Sequence, residues 1–95
     1  MIGVDDMRRE AGILNQALLE YGFAAYDGVE WMDEDHCFAT WYLGSLRVTL
    51  RVKLGKNGFA IVKVWCGEDV ADEFRSNFPH FADRAIASGL LDDWV

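Results

Sequence analysis

The chain has 95 residues, of which 52% are hydrophobic, 14% aromatic and 26% charged, with a single proline. A chain of this length makes one domain, 1–95, burying somewhat over ~60% of its unfolded surface, and the composition excludes a disordered or low-complexity segment. The net charge of −7 argues against nonspecific binding to nucleic acid or anionic membranes, which is driven by neutralising phosphates.

Taken in order, Asp5 and Asp6 can cap a helix whose apolar stripe is Met7, Ala11, Leu14, Leu18 and Tyr21, widened by Ile13 and Ala17. Gly22 ends it as a left-handed cap. Arg8, Arg9, Glu10, Asn15, Gln16 and Glu20 form the flank expected to be solvated. Phe23 to Asp27 is a connector, and Val29-Glu30-Trp31-Met32 reads as a short strand that Asp33-Glu34-Asp35 joins to the next.

From His36 to Leu54 two strands can be read residue by residue. Leu46, Val48, Leu50, Val52 and Leu54 alternate with Arg47, Thr49, Arg51 and Lys53, the period of two that a half-buried strand requires. Gly44-Ser45 is a two-residue loop of the Gly-first hairpin type. It pairs Leu43 with Leu46, Trp41 with Val48, Ala39 with Leu50 and Cys37 with Val52 on an inner face. Tyr42 then lies beside Arg47, Thr40 beside Thr49, Phe38 beside Arg51 and His36 beside Lys53 on an outer face. The same counting pairs Trp31 with Cys37, both inward, and Glu30 with Phe38, both outward.

A three-residue loop, Lys56-Asn57-Gly58 with Gly58 left-handed, leads into the fourth strand, because a two-residue Asn57-Gly58 turn would put Lys63 on the inner face. The expected pairs are Leu54 with Ala60, Val52 with Val62, Leu50 with Val64 and Val48 with Cys66. Phe59, Ile61, Lys63 and Trp65 point outward. The cysteine-bearing strands are then two strand spacings apart, roughly 9–10 Å, beyond the ~7 Å a disulfide tolerates, so Cys37 and Cys66 are expected as free, buried thiols.

Gly67 breaks that strand, and Glu68-Asp69 opens a predicted helix to about Ser76 with Val70, Ala71, Phe74 and Phe78 inward. Pro79 starts a second helix to about Ser88, with Phe81, Ala82, Ala85 and Ile86 inward and Gly89 as its cap. The apolar tail of Leu90, Leu91 and Trp94 is expected to pack. The fold class is α+β: an N-terminal helix, a four-stranded antiparallel meander and one or two C-terminal helices on one face of the sheet.

Chemistry is sparse. Asp33, Glu34, Asp35 and His36 lack calcium-loop or zinc spacing and read as a solvated turn. His36 and Cys37 point to opposite faces of one strand and cannot cooperate in nucleophilic catalysis. The glycines are scattered at turns and helix ends and make no phosphate loop. No enzyme activity, cofactor or metal is expected. The N-terminus has no signal pattern and no apolar run approaches the ~20 residues of a membrane helix, so the expected location is the cytoplasm.

Charge is divided. His36 to Gly67 carries +5 and the remainder −12. Two surfaces follow as candidates for binding a partner. One is the acidic run Asp27, Glu30, Asp33, Glu34 and Asp35, which could imitate nucleic-acid phosphates toward a basic partner. The other is the outer sheet face with Phe38, Tyr42, Arg47, Arg51 and Trp65, which combines the aromatics and arginines enriched at interface hot spots. The order of helix, strands and helices is similar to that of double-stranded-RNA-binding domains, type III secretion chaperones and some phage-encoded inhibitors of bacterial defence. That likeness extends to fold order alone. The expected function is a small acidic non-enzymatic protein that binds a macromolecular partner, as an inhibitor of a nucleic-acid-handling complex (nucleic-acid-mimic, anti-restriction or anti-CRISPR-like). The alternatives are a dimeric chaperone-like protein-binding module and a single-stranded nucleic-acid-binding module. A protein partner or a second copy of the chain is expected, and nucleic acid or membrane is not.

Overall fold

The computed structural model describes residues 1–92. Its elements are α1 (Val4–Glu20), β1 (Glu30–Trp31), β2 (His36–Leu43), β3 (Leu46–Lys53), β4 (Phe59–Cys66), β5 (Asp69–Ser76) and α2 (Phe81–Ala87). The strands form one antiparallel sheet in the order β1-β2-β3-β4-β5. The fold is α+β with five strands rather than the four expected.

The central hairpin forms as read: Leu43 pairs with Leu46, Trp41 with Val48 and Cys37 with Val52. Gly44, at φ 57°, supplies the positive first position that this turn demands. Between β3 and β4 the pairing is two residues off the expected register, with Val52 opposite Ala60 and Val48 opposite Val64. The loop is Leu54 to Gly58, because Leu54 N–H is held by Asp35 O at 2.7 Å and Gly55 bonds both ways to Ile2. A slip of two keeps every side chain on its face, so Phe59, Ile61, Lys63 and Trp65 still point outward. Gly55, not Gly58, takes the positive φ (107°). Gly58 is required for another reason: a Cβ there would stand 2.5 Å from Lys53 O.

The segment expected as a helix from Asp69 to Ser76 is β5. Gly67-Glu68 closes a second Gly-first two-residue hairpin, with Gly67 at φ 63° and Cys66 opposite Asp69. Helical spacing of Val70, Ala71, Phe74 and Phe78 concealed the strand, because β5 is an edge strand exposed over most of its length and broken by a bulge. Val64 pairs with Asp72 and Trp65 with Val70, leaving Ala71 as the extra residue. Val70 and Phe78 are consequently exposed, and within β5 only Phe74 and Ser76 are withdrawn from solvent.

The core lies between the inner sheet face and the two helices. Cys37, Ala39, Trp41, Val48, Leu50, Val52, Ala60, Val62 and Val64 meet Met7, Ala11, Leu14 and Leu18 of α1 and Phe81, Ala82 and Ala85 of α2. Each large aliphatic or aromatic side chain buried there stabilises by ~1.5–3 kcal/mol. Trp31 pairs with Cys37 as expected but is 45% exposed, since β1 is a two-residue edge beyond the reach of the helices. Leu90 and Leu91 are buried in the same core, and Asp92 accepts the Tyr21 hydroxyl at 3.2 Å, so Leu90 to Asp92 lie on the helical side. Trp94 falls outside the described residues.

Two flank residues of α1 have interior roles. Asn15 Oδ1 accepts Trp41 Nε1–H at 2.9 Å, satisfying the indole of the largest buried side chain, whose ring also stacks on Tyr26 at 5.0 Å. Glu10 is fully buried, and its carboxylate accepts the Ala82 N–H in the first turn of α2 and Arg9 Nε–H, both at 3.2 Å. The helix start also differs from expectation. Gly3 is the N-cap, while Asp6 sits three residues on and accepts Gly3 N–H at 2.9 Å. That bond, ahead of Arg9, holds the Asp6 carboxyl below the usual range.

Candidate partner-binding surface

Strand parity and register build the outer face row by row. Phe38, Arg51, Ile61 and Arg75 form one row across β2 to β5, Thr40, Thr49, Lys63 and Glu73 the next, and Tyr42, Arg47, Trp65 and Val70 the third. Among the described residues both helices lie on the opposite face, so this one is open. Trp65 is its centre: the indole lies across β3, donating Nε1–H to Thr49 Oγ1 at 2.9 Å. The Arg47 guanidinium rests over the ring at 4.6 Å from its centroid and Lys63 Nζ at 5.6 Å. Arg47 Nε is buried without a hydrogen-bond partner among the described residues. The cation–π attraction, ~0.5–2 kcal/mol, offsets that orphan donor, which costs ~1–3 kcal/mol.

Beside the indole is a depression of ≈ 320 Å³ bordered by Met32, Phe38, Arg51, Ile61, Lys63 and Trp65. Tyr42 is 59% exposed and Met32 57% exposed, whereas Phe38 and Trp65 are half-buried. The face is an apolar floor edged by cations. Glu73 neutralises part of it through a 3.7 Å ion pair with Lys63.

The acidic residues are divided by the fold. Asp33 serves the turn: its Oδ1 accepts the Asp35 and His36 N–H groups at 2.8 Å, and the carboxylate meets His36 Nδ1 at 3.0 Å. The Asp35 N–H and then His36 hold its pKa below the usual carboxylate value. Asp33 nonetheless stays exposed with Asp27, Glu30, Glu34 and Asp35 near β1, and Asp69, Asp72 and Glu73 are exposed along β5 with Glu68 in the turn before it. The structure therefore brings Phe38, Tyr42, Arg47, Arg51 and Trp65 together on one face and leaves the acids around its edges. The second group of acids was legible as sequence, but its expected helix misplaced it.

Cys37 and Cys66 are both free; burial pushes the Cys37 thiol up to about 11, while Cys66, expected buried, is exposed at the end of β4. Glu10, His80 and Asp83 offer oxygen and nitrogen atoms within 4.8 Å of one another. Both Glu10 oxygens already accept protein donors, so the carboxylate anchors α2. Compared with known proteins, the chain matches no family model, no curated protein and no solved structure.

Proposed function

We propose that the chain is a non-enzymatic binding protein whose working surface is the outer sheet face, and that its partner is a protein segment presenting carboxylates beside apolar side chains. The observation that carries this reading is the cluster around Trp65, which no helix covers among the described residues: an aromatic floor with Arg47 laid on the indole, a depression at its side, and Arg51 and Lys63 at its border. Exposed apolar surface rimmed by polar groups marks interaction sites, and arginine beside tryptophan is the composition of binding hot spots. Base stacking fits less well. Trp65 is half-buried, tied to Thr49 and covered by a guanidinium, whereas a single-strand platform needs free ring faces.

A second reading, inhibition of a nucleic-acid-handling complex by phosphate mimicry, is favoured by the exposed carboxylates at both edges of the sheet, Asp27, Glu30, Asp33, Glu34 and Asp35 beside β1 and Glu68, Asp69, Asp72 and Glu73 on β5 and the turn before it. Charge reversal separates the two. In affinity capture from host extract, Arg47→Glu with Arg51→Glu abolishes partner recovery under the first reading, and Glu34→Lys with Asp35→Lys leaves it intact. The opposite pattern selects mimicry. Direct binding of an oligothymidylate that weakens steeply with salt would contradict both and select the single-strand platform.

A further inference from the structure

We propose that the free edge of β5 is a self-association edge, on which two copies of the chain pair antiparallel about a two-fold axis at Phe74 and join their sheets into one. This goes beyond the outer-face reading and does not depend on it. β5 is eight residues long and terminal in the sheet order, so among the described residues nothing pairs with its outer side. The side chain of Asp72 shows which backbone groups are free: its Oδ1 accepts Glu73 N–H at 2.8 Å, a donor that would otherwise belong to a ladder. Backbone groups alternate in direction along a strand, so Glu73 and Arg75 aim their N–H and C=O groups at the open edge.

Pairing centred on Phe74 sets Glu73 of each copy opposite Arg75 of the other, and these are the residues whose outward backbone groups make the new bonds. The Asp72 carboxylate gives way to the carbonyl of Arg75 in the second copy. Opposite charges face each other twice in this register. Moving the axis to Glu73 sets glutamate against glutamate, and moving it to Arg75 sets arginine against arginine; like charges directly opposite destabilise a strand pair. Arg75 makes no ion pair among the described residues, so its charge is available. The overlap also brings the exposed Val70 end of one copy toward the exposed Phe78 end of the other. The acids Glu68, Asp69 and Asp72 guard the strand against indiscriminate pairing and leave this one complementary register. A face-to-face dimer would instead set the cations of the outer face against themselves.

Sedimentation equilibrium of the whole chain tests the edge. Wild type is expected to dimerise, Glu73→Arg and Arg75→Glu are each expected to weaken the dimer about tenfold, and the double variant is expected to restore it. Both side chains are exposed, so single variants that melt like wild type at a dilution where all are monomeric show that the effect is on association. Lys63→Ala, which removes the other partner of Glu73, should leave the dimer intact. A wild-type monomer up to about millimolar concentration, where association would be weaker than about 4 kcal/mol, or single variants that dimerise as well as wild type, or a double variant that is not rescued, would overturn the proposal.

Discussion

Glu10 shows how far one buried group can depart from a surface pattern. On a helical wheel it belongs to the polar flank, yet α2 crosses α1 at that point and brings the Ala82 N–H to within 3.2 Å of its carboxylate. No periodicity in α1 announces this, because the donor lies 72 residues away in the chain. Removing the carboxylate in Glu10→Ala orphans a buried N–H and leaves a cavity, so a loss of about 2–4 kcal/mol in unfolding free energy is expected by urea titration. Glu10→Gln, which keeps an acceptor, should lose less than half of that. The two cysteines offer a separate check. At pH 8 iodoacetamide should label native protein once, at exposed Cys66, and denatured protein twice. Cys37 also carries a stability signature: its folded pKa is raised, so the folded state holds the proton more tightly. Stability attributable to it is complete below the ordinary thiol value of 9.0 and declines as pH rises toward about 11.

At the level of elements, the parts that were legible are those with one dominant signal. The stripe of α1 and the alternation of β3 each bury a whole face, so periodicity and burial coincide. β5 was not legible. Its sequence DVADEFRS has one face open and a bulge at Ala71, and neither period survives in it. The turn did carry the information: Gly67-Glu68 repeats the Gly-first geometry of Gly44-Ser45, and giving both the same meaning would have placed the fifth strand. The loop at Gly55 illustrates a different limit. Its register depends on Ile2 and Asp35, bonded to it from distant positions in the chain. Gly58→Ala is expected to be the more damaging of two substitutions in this loop and its neighbour, because its new methyl would meet the fixed Lys53 carbonyl at 2.5 Å. Gly67→Ala has open space and faces only its positive φ, a cost of ~1–2 kcal/mol. Comparing the two melting curves checks this order.

For the molecule as a whole, the two-layer arrangement turns the charge division in the sequence into geography. One sheet face is spent on the core with α1 and α2, and the basic segment supplies the other. Its acidic surroundings repel polyanions beyond the patch, while the proposed partner, a short acidic protein segment, would reach Arg47, Arg51 and Lys63 without crossing them. Of the candidate site, the outer-face residues were readable because parity alone assigns them. The turn-closing role of Asp33 was not, since it depends on the Asp35 and His36 N–H groups folding back onto its carboxylate. The most direct measurement is photo-crosslinking in host extract from a benzophenone amino acid placed at Tyr42, on the open face, and separately at Gln16, on the solvent side of α1. A discrete protein adduct from Tyr42, lost in Arg47→Glu with Arg51→Glu, and no adduct from Gln16 is the predicted result. An adduct from Gln16 with none from Tyr42 would contradict the assignment of the sheet face.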